Sequence, residues 1–155
     1  MVVTATQPED SPVGASNFVD ADLASQRAAT SDSARLLQDI PGVSLYGAGG
    51  ISSLPVIHGL ADDRVRIQVD GMDPMSACPN HMNSVLSYIN PTKVESVTVF
   101  AGITPVSVGG DSIGGTIQVN SAPPEFAKAG EGLLAKGQAG AFYRSNGEAR
   151  GHNLG

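Results

Sequence analysis

The chain has 155 residues, 41% of them hydrophobic, with 19 Gly and 10 Pro, enough for one domain with a real core, built of short elements and many turns. Nine Lys plus Arg against 15 Asp plus Glu leave a net charge of −6, which, with no local basic cluster, excludes a nucleic-acid-binding surface. No run approaches the roughly 18 apolar residues of a membrane-spanning helix, and the single cysteine, Cys78, excludes an internal disulfide.

No secretory leader is visible at Met1–Thr6, so the expectation is a cytosolic chain or one whose leader has been removed. Residues 1–15 mix Thr, Gln, Glu, Asp, Ser and Pro without apolar periodicity and read as a flexible arm. Asp20–Ala29 reads as a short helix with Asp20 as N-cap. Ser31–Ile40 reads as a second helix, with Leu36, Leu37 and Ile40 on its buried face and Pro41-Gly42 as its stop. Four strand signals follow. Pro55–His58 is a short apolar run. Arg64–Asp70 alternates with period two, placing Val65, Ile67 and Val69 on one side and Arg64, Arg66 and Gln68 on the other. Val94–Phe100 alternates less strictly, and Gly115–Asn120 is the fourth. A turn-rich loop, Gly71–Asn83, joins the second signal to the third. Past Pro123-Pro124, Leu134–Tyr143 alternates loosely and reads as an edge strand or the first strand of something further on. The organisation expected is an arm over 1–15, a folded domain over 16–124 and a linker with a strand start over 125–155.

Gly109-Gly110 and Gly114-Gly115 lack the strand-to-helix setting of a phosphate loop and read as turns tolerant of positive φ. Asp62-Asp63, Asp70 and Asp73 lack the spacing of a calcium loop and read as solvated turn carboxylates.

The chemistry concentrates in Met72-Asp73-Pro74-Met75-Ser76-Ala77-Cys78-Pro79-Asn80-His81-Met82, which holds three of the four methionines, the only cysteine and one of the three histidines. Thiolate and thioether are soft donors that select Cu(I), and imidazole suits copper in either oxidation state. Cys78, His81 and Met82 stand at i, i+3 and i+4, so a helical turn opened by Pro79 would set them on one side. The competing reading is structural: methionine fills irregular gaps, and a lone cysteine is commonly a small buried hydrophobe. Gly71, Pro74, Pro79 and Asn83 argue instead for an exposed loop. There a thiol is a liability in an oxidising compartment unless it has a use. Cys78 and His81 as nucleophile and base lack a third, orienting residue, so no enzyme is expected.

Taken together, Leu36-Leu37-Gln38-Asp39-Ile40-Pro41-Gly42-Val43, Val65-Arg66-Ile67-Gln68-Val69-Asp70-Gly71, Val94-Glu95-Ser96-Val97-Thr98-Val99 and Ile113-Gly114-Gly115-Thr116-Ile117 resemble, in the family's order, four motifs of the plug domain of TonB-dependent outer-membrane receptors. Val2-Val3-Thr4-Ala5 is similar to the TonB box, the extended arm that adds as a strand to TonB. The resemblance implies an α+β plug-like domain with a small mixed four-stranded sheet, short helices and long loops, seated in its own β-barrel of about 22 strands. Such a barrel needs roughly 200 strand residues, so the resemblance implies that residues 131–155 hold one or two of its strands at most. Where the family usually has Arg-Gly, this sequence has His58-Gly59 and Ala101-Gly102, so the arginines that lock a plug to the barrel wall are not carried over; His58 reads as packed or facing the barrel.

Cys78-Pro79-Asn80-His81-Met82 also resembles a segment of the copper-receptor branch, whose plug supplies Cys and Met in a C-x-x-x-M arrangement. This implies Cys78 and Met82 as Cu(I) ligands; His81 is a candidate on its chemistry alone. The expectation is a plug gating energy-coupled copper uptake at the bacterial outer membrane, with TonB and the barrel as partners and no organic cofactor. Its alternatives are the plug of a ferric-siderophore or haem receptor, with an incidental Cys–Met loop, and a soluble periplasmic metal-binding module.

Overall fold

Alternating valines and isoleucines must find one dry face, and three strands supply it. In the computed structural model, which describes residues 15–18, 20–48, 52–78, 81–110, 112–130 and 132–154, β4 (Val65–Val69), β5 (Val94–Ala101) and β6 (Gly115–Ser121) share a four-stranded sheet with β1 (Ala15–Phe18). The order is β1-β5-β6-β4. β1 and β6 run antiparallel to β5, and β4 runs parallel to β6. The sheet is therefore mixed and four-stranded, as the resemblance implies. The Pro55–His58 signal lies in a separate hairpin, β2 (Val43–Ala48) with β3 (Ser52–Ile57), and the fourth strand of the sheet is β1.

Val97 pairs with Val119 and Val99 with Ile117. These four side chains join Leu23 of α1 (Asp20–Ala29), Leu36, Leu37, Ile40, Ile57 and Leu86 in one buried cluster. Burying each such side chain stabilises by roughly 1.5–3 kcal/mol. The looser alternation of β5 has a cause in a register shift between Val94 and Ser96, which bends the strand so that Val94 and Val97 both face inward. Arg27, in the last turn of α1, donates to the carbonyl of Val94 at that irregularity.

The second helix expected over 31–40 is a 3-10 turn of five residues, Ser33–Leu37. Asp32 accepts from the Ala34 N–H at 3.1 Å and starts it late, and Gln38 and Asp39 already turn toward Pro41-Gly42. Leu36, Leu37 and Ile40 are buried all the same. Gln68, expected on the wet face of β4, is buried because it accepts from Gln118 Nε2 at 2.9 Å, its register partner on β6.

Gly114 and Gly115 are held by crowding. A Cβ on Gly115 (φ +131°) would stand 2.1 Å from the Phe100 carbonyl oxygen, and one on Gly114 would stand 2.8 Å from that of Arg64. Gly114, which has no positive φ, is thus a close-approach glycine and not the turn residue expected. His58 is also displaced from its expected place: it lies past the end of β3, in a turn, with φ 48°, and is exposed.

Two compact units divide the chain between Ala122 and Pro123. In the second, β7 (Ala139–Arg144) and β8 (Ala149–Leu154) form an antiparallel hairpin in which Phe142 faces Gly151. The Arg144 guanidinium lies 4.3 Å from the Phe142 ring centroid. Among the described residues no helix is long and apolar enough to cross a membrane.

Candidate metal centre

The Cys–Met loop begins as a tight reversal at the end of β4. Asp70 and Gly71 both have positive φ (51° and 77°), the combination that suits the right-handed strand twist in a two-residue turn, and Val69 and Met72 exchange backbone hydrogen bonds of 2.9 Å. The Asp70 carboxylate accepts from the Ser121 N–H (2.7 Å) and hydroxyl (2.9 Å), tying this turn to the end of β6. Asp73 accepts from Arg66 Nε (2.7 Å) and Nη2 (2.5 Å). Asp70 and Asp73 are exposed, as expected of solvated carboxylates, and each also accepts hydrogen bonds that tie the loop down. The Arg66 fork, aided by its charge, holds the Asp73 carboxyl below the ordinary carboxylate range.

Further along, the Ser76 hydroxyl donates to the Asn83 carbonyl at 2.7 Å, closing the loop on itself. The Ala77 N–H donates to the Tyr88 hydroxyl (3.2 Å) and the Cys78 N–H to Ser76 Oγ (3.4 Å). The His81 N–H donates to the Cys78 carbonyl at 2.9 Å, which ties the two residues together. The base is anchored by the buried Ser84 hydroxyl, which donates to the Ser53 carbonyl (2.9 Å), and by the Ser52 and Ser87 hydroxyls (2.6 Å).

Cys78 and His81 line a single open cleft of about 640 Å³, together with Asp63, Arg66, Asp73 and Met75. Cys78 is half-buried, and His81 Nδ1 stands 3.7 Å from Asp63 Oδ1. Met82 is exposed and is not among the lining residues, whereas Met75 is. The three residues singled out in the sequence are therefore not brought together as a set: Cys78 and His81 share the cleft and Met82 lies beside it. Among the described residues no three His, Cys, Asp or Glu side chains gather as a metal cluster. Sequence reasoning missed Arg66, Tyr88 and Ser84, which hydrogen-bond in and around the loop, because no local motif marks such side-chain contacts. Val2–Ala5 lie outside the described residues.

The sequence matches the model of the TonB-dependent receptor plug domain over residues 7–116. No curated protein matches it. Among solved structures it is similar to the copper transporter OprC, with 27% identity and a TM-score of 0.65 over 83% of this chain and 18% of that one. It is also similar to the siderophore receptor PirA from Pseudomonas aeruginosa, with 25% identity and a TM-score of 0.54 over 75% of this chain and 19% of that one. The hemophore receptor HasR of Serratia marcescens shares the fold at 22% identity, with a TM-score of 0.59 over 74% of this chain and 17% of HasR. The chain thus spans less than a fifth of the length of these three structures. A family match over residues 7–116, most of the chain, makes this chain a member of the TonB-dependent receptor plug domain family.

Proposed function

We propose that this plug gates TonB-coupled uptake of copper through an outer-membrane receptor, and that Cys78 and Met82 hold Cu(I) with His81 as a third donor. The observation that carries the reading is that Cys78 and His81 line one cleft and are joined by a backbone hydrogen bond. Met82 follows His81 directly, and its exposed side chain has three torsions with which to turn its sulfur toward them. The likeness to a copper transporter at 27% identity supports the same cargo. The plug does no covalent chemistry in this reading; it occludes the barrel, offers soft ligands to the metal and passes occupancy to the N-terminal arm. Val2–Ala5 add as a strand to TonB, where main-chain hydrogen bonds carry the affinity, so Val3→Pro removes one donor and abolishes uptake. Residues 125–155 lead into the barrel that surrounds the plug.

A siderophore cargo is the second reading, favoured by the likeness to PirA at 25% identity; under it Cys78 is dispensable. Titration of the chain with Cu(I) against a competing chelator, under reducing conditions, tests the proposal. The thiolate is anionic and soft, so Cys78→Ala weakens binding about 100-fold and Met82→Ala about tenfold, and wild-type binding weakens as pH falls and the thiol is reprotonated. Zinc competes poorly, since one thiolate and one imidazole fall short of its four-ligand shell. Equal affinity of wild type and Cys78→Ala overturns the copper reading.

A further inference from the structure

Arg66 stands between two loops. Its Nε and Nη2 grip Asp73 at 2.7 and 2.5 Å, the two-point fork that a lysine cannot reproduce. Its other terminal nitrogen lies against Gly109, in the segment that joins β5 to β6: a Cβ on Gly109 would stand 1.6 Å from Nη1. Gly109 has φ +122°, so both its backbone conformation and the guanidinium above it call for glycine. One side chain on β4 thus meets both the stem of the Cys–Met loop, through Nε and Nη2, and the β5–β6 segment, through Nη1. Arg66, Asp73 and Ser112 of the β5–β6 segment line the same cleft as Cys78 and His81.

We propose that Arg66 is a positioning residue for the metal site, acting through Asp73 to hold the loop in the arrangement that turns Cys78 and His81 into one cleft. Neither Arg66 nor Asp73 touches the metal. The inference takes its ligand from the copper reading above, but the strap itself is tested without metal.

The experiment uses the full chain as wild type, Arg66→Lys, Asp73→Asn and the double variant, read by Cu(I) titration and by amide hydrogen exchange of the metal-free protein. Arg66→Lys keeps the charge and the stem and loses the fork. Each single variant is expected to weaken Cu(I) binding about tenfold, the scale of a lost supporting contact around a metal ligand. The double variant is expected to be no weaker than the worse single one, because the two residues act as a unit. The Cu(I)–thiolate ultraviolet absorption per bound copper stays unchanged, since the ligands are the same. Without metal, the amides of Ala77 and His81 exchange about tenfold faster in Arg66→Lys, while those of Val97 and Ile117 keep their wild-type protection. Affinity within about twofold of wild type for Arg66→Lys, or losses that add in the double variant, overturns the proposal. If Cys78→Ala binds copper as well as wild type, the copper reading falls alone; unchanged exchange at Ala77 and His81 in Arg66→Lys is what overturns the strap.

Discussion

The β5–β6 half of the sheet and the loop that follows β4 lie in the same compact unit, yet they hold their shape by opposite means. In the sheet Val97, Val99, Ile117 and Val119 are each at most 3% exposed, and removal of methyl groups from water supplies the stability. In the loop Met72, Met75 and Met82 are 63%, 88% and 59% exposed, and order comes from polar ties: Asp70 to Ser121, Asp73 to Arg66, Ser76 to Asn83 and Ala77 to Tyr88. A core methionine fills a gap; these fill none. Under the proposed copper reading, a backbone already held by hydrogen bonds with its polarisable side chains left in water meets part of the ordering cost before binding.

The largest test of that contrast truncates one side chain on each side. Ile117→Ala removes a fully buried side chain and is expected to lower unfolding stability by about 3–4 kcal/mol. Met75→Ala removes a comparable volume from the loop and is expected to change it by at most about 0.5 kcal/mol. Urea unfolding of both variants measures the difference, and a similar loss in the two would mean that the loop carries a core of its own.

Next in size is the junction between the regions. Ser84→Ala leaves the buried Ser53 carbonyl without the hydroxyl that donates to it and is expected to cost about 1–2 kcal/mol. Tyr88→Phe deletes the acceptor of the Ala77 N–H at a more exposed place and is expected to cost about 0.5 kcal/mol globally, with faster hydrogen exchange confined to the loop. Exchange that quickens across β5 and β6 as well would merge the two regions into one cooperative unit.

The smallest effect is one of pH. The Arg66 fork holds Asp73 below the ordinary carboxylate range, so the folded chain keeps this group ionised at a pH where the unfolded chain begins to bind a proton there. The contribution is present at neutral pH and is lost as pH falls through the lowered folded value. Asp73 is half-exposed, so water screens the interaction. Wild type is expected to unfold at a slightly higher urea concentration than Asp73→Asn at pH 7, with the gap closing in acid. A gap that persists in acid would mean that the aspartate acts through shape and not charge.

The same contrast decides what could be read without coordinates. β4, β5 and β6 were legible because apolar residues that reach the core stand two apart in each: Val65 and Ile67, Val97 and Val99, Ile117 and Val119. β1 was not: Ala15-Ser16-Asn17-Phe18 has no run of branched residues, and its place beside β5 is a tertiary outcome. The apolar spacing of Leu36, Leu37 and Ile40 showed which side chains go inward, yet it does not tell a 3-10 turn of five residues from a longer α-helix. His58 was misplaced because an apolar run carries no mark of the residue at which the chain turns. In the loop, residue chemistry alone pointed to Cys78, His81 and Met82. That Cys78 and His81 line one cleft while Met82 is not among its lining residues is a tertiary outcome, and the contacts of Arg66, Ser84 and Tyr88 near it carry no local mark in the sequence.

Copper K-edge X-ray absorption on the Cu(I)-loaded chain tests the central claim most directly. Sulfur neighbours should dominate the scattering of wild type, with a nitrogen contribution from His81, and the sulfur shell should shrink in Cys78→Ala. A shell of nitrogen and oxygen alone, or a spectrum indifferent to Cys78, would contradict a copper-holding loop on this plug.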